Sequence, residues 1–341
     1  MRRFELTTKL QHVAVQRQSK TTASNLLPTF FARHCLRPPM YPTRRALLAM
    51  AALLTTCLLS CADNRTDVDK GGTSDTLALR FSAIPDQSKT ELDDKFNALA
   101  SYLSKELGVG VQYVATNDYK ASVEAFKNGD ILLAWFGGLT GVQARHAVTG
   151  AHAIAQGKSD PKFKTYFIVH KKTGLTKSDE FPTELENRSF AFGSESSTSG
   201  RLMPEYFIRK RTGKSPEEFF GSPPLFSGSH DKTIELVESG QIEAGAVNFK
   251  VYDQRVADGR TDPQTCRVVW ETPSYADYNF TVHPDVERQF GTGFSEKLQA
   301  VLLSIDDPKL LSAFPREMLI EASNEDFKGI EEVARELGFL R

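Results

Sequence analysis

The sequence predicts an α/β fold made of two lobes, on three observations. Strand-like apolar runs alternate with helix-like segments from about residue 76 onward, which is the order that builds parallel sheets. That part of the chain is long enough for two lobes of ordinary size. Two segments, VEAFKNGDILLAWFG (123–137) and IELVESGQIEAGAVN (234–248), match in kind almost position by position. Segments of this kind, a helix end followed by a glycine and a strand, also arise by chance. A duplication, however, would give two similar lobes that present strand ends to one shared cleft.

An apolar run near the start of the chain predicts export. Residues 46–59, ALLAMAALLTTCLL, follow Arg44 and Arg45 and are too short to span a bilayer but long enough for the apolar region of a signal peptide. The run leads into LLSC (58–61), which has the form of a bacterial lipoprotein cleavage box. We therefore expect Cys61 to carry lipid, with a chance cysteine after an apolar stretch as the alternative.

The segments on either side of this signal are predicted to lie outside the fold. Residues 1–39 are too long and contain too many prolines for the basic region of a signal peptide. We therefore expect Met40 to be the true start and 40–60 to be the signal peptide. Residues 61–75 are polar and poor in apolar side chains, which is typical of a flexible tether.

Charge and cysteine content exclude several kinds of partner. Removing the nine basic residues and the one acidic residue of 1–60 from the totals of 42 and 43 leaves 33 and 42, a net charge of −9. Nucleic acid and anionic membrane surfaces are poor partners for such a chain. After cleavage only Cys61 and Cys266 would remain, so we expect no disulfide within the chain. Cys266 lies in a predicted strand, where an inert core position is the expected role.

The first elements of the fold follow one another as strand, helix and strand. Residues 77–84 (LALRFSAI) predict a strand, and 111–114 predict the next one. Residues 91–107 predict an amphipathic helix between them, because their apolar residues recur at helical spacing. This is the unit of a parallel sheet.

A second helix and further strands continue the alternation. Asn117 and Asp118 can cap a helix over 119–127, and Gly129 ends it before a strand at 131–135. Later strands are predicted at 165–169, 189–192, 242–247 and 267–270. The chain from residue 294 onward is predicted to be mainly helical.

A turn rich in hydroxyl groups lies between a strand and a helix. The strand at 189–192 ends shortly before it, and from Leu202 apolar residues return at helical spacing. Ser197, Thr198 and Ser199 lie at the centre of this turn. The free N–H groups and the dipole of a helix start, with hydroxyls as further donors, form an anion site that needs no net positive charge.

A plain helix cap is the alternative interpretation of this turn. One Ser or Thr is enough for a cap, however, and Leu202 stands where a Glu or Gln would follow Ser199 in a capping box. The five hydroxyls of 194–199 therefore favour an anion. Pro204 has no N–H to offer the Gly200 carbonyl, so the helix is predicted to start late or to kink.

A second turn repeats the pattern. Ser229 and His230 precede a predicted helix at 233–237, so both could face an anion together with nearby amides. A satisfied core or surface histidine is the alternative. Tyr119, at the head of its helix, could equally be a core residue, and Asp277, in SYADYNF, could be a solvated turn residue.

Six short motifs carry a resemblance to a known family. They are SAIPDQ (82–87), DY (118–119), LAWFGGLTG (133–141), SSTSG (196–200), GSHD (228–231) and TPSYADY (272–278). With these motifs the mature chain resembles the substrate-binding lipoproteins of phosphate, phosphite and phosphonate ABC importers, most closely the subgroup described as selenate-binding. The resemblance implies a type II periplasmic-binding-protein fold, with two α/β lobes joined by two crossing strands around a ligand cleft. Lobe 1 would comprise 76–163 and 280–341, and lobe 2 would comprise 164–279.

The resemblance also implies a binding site and partners. An oxyanion would be held by Ser197, Thr198, Ser199 and His230 from one lobe, by Tyr119 from the other, and by Asp277, with Tyr278 competing for the last position. The chain would close around this anion and deliver it to an ABC permease and ATPase, while only a lipid anchor touches the membrane. We expect no cofactor, no metal, no nucleic-acid partner and no enzymatic activity.

Three positions bear on which anion is bound. Phe136 replaces a tyrosine that is common in the family, and Lys250 replaces the acid of aminophosphonate binders, which argues against such ligands. Asp277 could accept the proton of a P–OH group, as in phosphite, phosphonates and phosphate, whereas selenate and sulfate offer none. If Asp277 points away from the cleft, selenate is allowed.

Two other functional classes stay open at this point. A module that reports an oxyanion to a receptor would use the same cleft. An enzyme could use the serine, histidine and aspartate together, but the sequence has no G-x-S-x-G elbow and no cluster with metal-ligand spacing.

Overall fold

The structure, a computed structural model, describes residues 77–340. The predicted signal peptide, the lipid attachment at Cys61 and the tether lie outside these residues. Between residues 77 and 340 no helix is long and apolar enough to cross a membrane.

Eleven strands in the described part of the chain form two separate mixed sheets. The strands are β1 (Leu79–Ala83), β2 (Val111–Tyr113), β3 (Leu133–Phe136), β4 (His152–Gly157), β5 (Thr165–His170), β6 (Phe190–Phe192), β7 (Leu225–Phe226), β8 (Ala244–Asn248), β9 (Cys266–Glu271), β10 (Asn279–Val282) and β11 (Leu319–Glu321). The first sheet has the order β11-β4-β10-β3-β1-β2 and the second the order β7-β6-β8-β5-β9. Each sheet therefore forms the centre of one α/β lobe, as predicted.

Helices cover both sheets. They are α1 (Lys89–Leu107), α2 (Tyr119–Lys127), α3 (Gly138–Ala147), α4 (Met203–Thr212), α5 (Pro216–Phe220), α6 (His230–Glu238), α7 (Phe249–Ala257), α8 (Asp285–Phe290), α9 (Phe294–Leu303), α10 (Pro308–Leu311) and α11 (Lys328–Glu336). The predicted helix at 91–107 corresponds to α1, whose six buried residues include those expected from the spacing. Helix α3 was not predicted from periodicity, because the whole of its first half is buried and so shows no polar face.

The chain passes twice between the two sheets. It leaves the first sheet after β4, enters the second with β5, and returns between β9 and β10. β5 and β10 each run antiparallel to their neighbours, while β1 pairs in parallel with β2 and β3. The two crossing segments also pair with each other, since Phe163 and Tyr275 exchange backbone hydrogen bonds of 2.8 and 3.0 Å. The prediction of two crossing strands between the lobes is confirmed.

The two matching segments of the sequence have the same local geometry. α2 and α6 each end at a glycine in the left-handed region, Gly129 (φ 73°) and Gly240 (φ 74°). The residue after each glycine, Asp130 or Gln241, donates its N–H back to the carbonyl five positions earlier. The strands that follow, β3 and β8, lie in different sheets and end at Phe136 and Asn248. Each lobe therefore contains one copy of this helix-glycine-strand segment.

Apolar packing gives each lobe its own core, and the C-terminal helix lies beside the boundary. One cluster of buried side chains surrounds the first sheet and includes Phe81, Trp135 and Phe280. A second cluster covers the second sheet and also contains Leu139 of α3 and Ile330 of α11. Cys266 is fully buried in β9, and burial raises the pKa of its thiol to about 12. The predicted core position of Cys266 is confirmed.

Candidate functional site

The hydroxyl-rich turn is buried and begins a helix, as the sequence predicts. After β6 the chain forms a wide helical turn over Thr198–Leu202, in which Leu202 N–H donates to the Ser197 carbonyl at 3.0 Å. α4 starts only at Met203, with Pro204 in its first turn. The helix therefore starts late, which removes the conflict between Pro204 and a regular helix through Gly200.

Only one hydroxyl of the turn serves as the helix cap. Ser197 Oγ accepts the Gly200 N–H at 2.9 Å. The side chains of Ser197, Thr198 and Ser199 are at most 2% exposed, so none of them faces bulk water. Capping uses only the Ser197 hydroxyl, so the hydroxyls of Thr198 and Ser199 are not needed for it.

Four helical segments begin at this place. Their first residues are Tyr119 of α2, Gly138 of α3, Thr198 of the wide turn and His230 of α6. The first N–H groups of a helix have no partner inside the helix and carry the positive end of its dipole. A small anion at this point would therefore meet positive dipole ends from both lobes, without any Lys or Arg.

Contacts between α3 and the hydroxyl-rich turn join the lobes. The Leu139 N–H donates to Thr198 Oγ1 at 3.0 Å, and the Gly138 N–H donates to Asp277 Oδ1 at 2.8 Å. A Cβ atom on Gly137 would lie 3.2 Å from Thr198 Oγ1 and 3.3 Å from Asp277 Oδ1. The glycine thus lets the start of α3 approach both polar groups closely.

His230 packs against the same turn and presents one nitrogen as a donor. Its Cε1 would lie 3.2 Å from a Cβ atom on Gly200. The Asn248 N–H donates to His230 Nδ1 at 3.3 Å, so the neutral ring carries its hydrogen on Nε2. Burial lowers the pKa of His230 to about 4, although the charge of Asp231 raises it. At neutral pH the residue is therefore an uncharged N–H donor.

Three buried polar atoms at this place have no hydrogen-bond partner among residues 77–340. They are Tyr119 Oη, His230 Nε2 and Asp277 Oδ2. Burial raises the pKa of Tyr119 well above its ordinary value, and the charge of Asp86 adds to this. Ser197 lies close enough to Tyr119 to lower that pKa, but the two hydroxyls do not form a hydrogen bond of good geometry. Buried polar atoms left unpaired are costly, so three of them together indicate a ligand site.

The structure also distinguishes Asp277 from Tyr278. Asp277 is 1% exposed and keeps Oδ2 unpaired at the site, whereas the Tyr278 hydroxyl is fully engaged, donating to Asp86 Oδ2 at 2.7 Å and accepting from Asn248 Nδ2 at 3.0 Å. Burial raises the pKa of Asp277 to about 7, although bonds from the Gly138 N–H and the Thr198 hydroxyl lower it. Asp277 is therefore the residue with an oxygen to spare.

Comparison with known proteins agrees with this geometry. Residues 81–327 match the family described as ABC transporter, phosphonate, periplasmic substrate-binding protein. The chain is 40% identical over 275 residues to the probable ABC transporter phosphite binding protein PhnD1 of Prochlorococcus marinus strain MIT 9301, covering 79% of this chain and 92% of that protein. The chain belongs to this family of substrate-binding proteins.

Further relatives and solved structures fit the same assignment. The phosphate-import protein PhnD of Mycolicibacterium smegmatis is 25% identical over 270 residues, with coverage of 74% and 80%. The crystal structure of Prochlorococcus marinus PhnD1 with methylphosphonate superposes with a TM-score of 0.73 over 76% of this chain and 98% of that chain. A Pseudomonas aeruginosa ABC phosphonate transporter binding protein, 16% identical, shares the fold with a TM-score of 0.66 over 76% of this chain and 86% of that chain. The chain thus has the type II periplasmic-binding-protein fold and is the substrate-binding component of an ABC importer.

All six predicted site residues of this substrate-binding protein are buried. Ser197, Thr198, Ser199 and His230 come from the lobe of the second sheet, Tyr119 from the lobe of the first sheet, and Asp277 from a crossing segment. Residues 77–340 contain no group of three or more His, Cys, Asp or Glu side chains that could hold a metal ion.

Sequence reasoning missed three residues beside the site. Gly138 donates to Asp277, and Asn248 fixes the tautomer of His230. The backbone carbonyl of Asp86 accepts a hydrogen bond from the backbone N–H of His230 at 3.1 Å. The position of Asn248 at the end of β8 was available as a signal, because ligands lie beyond the carboxyl ends of strands in such sheets. Asp86 lies in the SAIPDQ motif but has no local pattern that assigns it a contact with His230.

Proposed function

We propose that this substrate-binding protein captures a small tetrahedral phosphorus oxyanion that carries one proton, such as phosphite or methylphosphonate, and delivers it to an ABC permease and ATPase. The observation that carries the proposal is the set of three unpartnered buried atoms, two donors and one carboxylate oxygen, at the meeting point of four helix starts. An ion with several oxygens and one P–OH group satisfies donors and carboxylate together.

The donor groups favour a ligand of small size and negative charge. Tyr119 and the neutral His230 can each donate one hydrogen bond. Ser199 adds its hydroxyl, and the backbone of Thr198 and Ser199 adds amide donors at a helix start. The P. marinus relative, 40% identical, is a phosphite binding protein by name and was crystallised with methylphosphonate. Both ligands are small tetrahedral oxyanions.

Asp277 sets the requirement for a proton. An ionised Asp277 can accept a hydrogen bond from P–OH, but it repels a sulfate or selenate dianion, which has no hydrogen to offer. The same logic disfavours selenate, which stays a candidate only if Asp277 is removed from the site or protonated. By its resemblance to the family, the chain has Lys250 where aminophosphonate binders carry an acid, so such ligands are not proposed.

Lobe closure is the proposed mechanism. We assign 76–163 and 280–341 to lobe 1 and 164–279 to lobe 2, with the paired crossing segments as the hinge. The bound anion stabilises the closed form because its donors come from both lobes. Small-angle X-ray scattering of the mature chain should show a smaller radius of gyration with saturating methylphosphonate. An unchanged radius would contradict closure.

Membrane attachment through Cys61 and the absence of catalysis complete the proposal. Lipid on Cys61 would tether the binding protein near its permease. Mass spectrometry of the protein isolated from membranes should show a diacylglycerol-modified N-terminal cysteine, and Cys61→Ser should release the protein into the soluble fraction. The bound oxyanion should be recovered unchanged, and turnover of a phosphoester that is lost in Ser199→Ala would overturn the assignment as a binding protein.

Isothermal titration calorimetry tests the choice of ligand. Phosphite, methylphosphonate, phosphate, sulfate and selenate are titrated into the wild type, Asp277→Ala and the control Asp130→Ala, which changes an exposed carboxylate. We expect the wild type and the control to bind phosphite or methylphosphonate tightly and selenate weakly, and Asp277→Ala to lose this preference. Tight selenate binding that survives Asp277→Ala would exclude the phosphorus oxyanion as the ligand.

A further inference from the structure

Asp86 is a second buried carboxylate beside the site. It follows β1 in the loop before α1 and is 5% exposed. Its Oδ2 accepts a hydrogen bond from the Tyr278 hydroxyl at 2.7 Å. Its backbone carbonyl accepts one from the backbone N–H of His230 at 3.1 Å. It therefore contacts a residue of the proposed site without supplying a donor to the ligand.

A closed ring of hydrogen bonds holds Asp86 in place. Asp86 accepts from Tyr278, Tyr278 accepts from Asn248 Nδ2 at 3.0 Å, and the Asn248 N–H donates to His230 Nδ1 at 3.3 Å. The backbone N–H of His230 donates to the backbone carbonyl of Asp86 and so closes the ring. The ring joins a loop of the first lobe, a crossing segment and the second lobe. It holds the Asp86 backbone against the start of α6 and the Asp86 carboxylate against the Tyr278 hydroxyl.

Other buried carboxylates near the site are neutralised by arginine. Asp160 pairs with Arg316 at 2.8 Å from Nε, and Asp231 pairs with Arg255 at 2.9 Å. Within residues 77–340 neither Asp86 nor Asp277 forms a salt bridge. The groups that act on Asp86 from surrounding elements are Tyr278, Asp231, Arg316, Gln87, Tyr119 and Tyr113. Among them the cation, Arg316, is already paired.

We propose that Asp86 is a specificity-determining residue that restricts tight binding to singly charged oxyanions through its uncompensated negative charge, without touching the ligand. The inference rests on the proposed function, because it concerns which ionised form the same site accepts. A monoanion meets the dipole ends of four helix starts and is tolerated, whereas a dianion adds a second unit of repulsion with each buried carboxylate.

The protonation of Asp86 makes this restriction depend on pH. Burial raises the pKa of Asp86 to about 6, although the Tyr278 hydrogen bond lowers it, and the charge of Asp231 raises it further. Asp86 is therefore mostly ionised at neutral pH and mostly neutral below about pH 5. His230, with its pKa of about 4, stays uncharged over most of this range. Acidification should thus relax the restriction before it alters the histidine.

Asp86→Asn tests the proposal, because asparagine keeps an oxygen for the Tyr278 hydroxyl and removes only the charge. Sulfate, a dianion throughout this pH range, and methylphosphonate at about pH 7 serve as probes. At pH 7 a carboxyl group with a pKa of about 6 is about tenfold more often ionised than protonated, so we expect the ratio of the sulfate Kd to the methylphosphonate Kd to fall by up to about tenfold in Asp86→Asn. Asp130→Asn makes the same charge change at an exposed carboxylate beyond the opposite end of α2 and should leave the ratio unchanged.

A second measurement covers the case in which Asp86→Asn does not fold. In an Asp277→Asn background Asp86 is the remaining uncompensated carboxylate of the site, so sulfate binding should weaken as the pH rises through about 6 and should be steady on either side. A flat profile between about pH 5 and 8 would refute the role of Asp86, as would an unchanged Kd ratio in a folded Asp86→Asn variant. Failure of the wild type to bind methylphosphonate or phosphite would instead refute the proposed function.

Discussion

Replacing Tyr119 with phenylalanine should weaken the binding of the anion and leave the ligand-free protein intact. The residue is 2% exposed and its hydroxyl has no partner within residues 77–340, so the substitution removes one oxygen without changing the packing. A hydrogen bond to a charged group contributes about 1.5–3 kcal/mol. The Kd for methylphosphonate should therefore rise about 10- to 100-fold.

The stability of the ligand-free protein should change in the opposite direction. A buried hydroxyl without a partner costs about 1–3 kcal/mol, so its removal should leave the melting temperature unchanged or raise it, by about 2–4 °C for each kcal/mol gained. A higher Kd together with an unchanged or higher melting temperature distinguishes a ligand donor from a core residue. The sequence did not decide between these two roles for Tyr119.

Calorimetric titration gives the Kd, and differential scanning calorimetry without ligand gives the melting temperature. Tyr102→Phe is the matched control, because its exposed hydroxyl contacts Ser304 Oγ at 3.3 Å and none of the site residues, so the Kd should be unchanged. A Kd for Tyr119→Phe within about threefold of the wild type would show that this hydroxyl does not bind the ligand.

Three further predictions concern stability. In ligand-free protein the pKa of Asp277 is raised from its ordinary value of 3.8 to about 7, so its stabilising contribution is complete below about pH 3.8 and is lost as the pH rises through about 7. In denaturant titrations the unfolding free energy of the wild type relative to Asp277→Asn should therefore fall from about pH 4 to about pH 7 and be level above that. Gly245→Ala would place a Cβ atom 2.7 Å from Thr233 Cγ2 and should cost about 1–3 kcal/mol of unfolding free energy; an unchanged denaturation midpoint would contradict this packing. Arg316→Met leaves the buried Asp160 carboxylate without its arginine and should cost about 3–5 kcal/mol, much of it recovered by adding Asp160→Asn, and a double variant no more stable than the single one would contradict the ion-pair argument.

The sequence predicted those parts of the fold that depend on local patterns. The spacing of apolar residues in 91–107 placed α1, and the glycines at 129 and 240 placed the ends of α2 and α6, because a left-handed residue is needed there. The order of strands in each sheet could not be predicted in this way. It depends on the two crossings of the chain, which local periodicity does not encode.

In the candidate site, too, local patterns predicted some residues and could not predict others. Thr198, Ser199 and His230 were predicted because they stand at helix starts, and a helix start is a local feature that attracts anions. Asp86 and Gly138 reach the site through contacts between residues more than a hundred positions apart. Asp277 could be matched to the family but not distinguished from Tyr278, because the direction of two neighbouring side chains follows from the hinge geometry.

The use of dipoles in place of cations explains how such a site can release what it binds. An arginine in the cleft would keep a full charge in the open form and would hold sulfate and phosphate dianions as well as monoanions. Helix starts and neutral donors act only over short distances and only when they point at one place. Opening the hinge would withdraw Tyr119 and the start of α3 together, since both belong to the lobe of the first sheet. The anion would then keep donors from the other lobe alone, beside the Asp277 carboxylate, and its release toward a permease would need no competing charge.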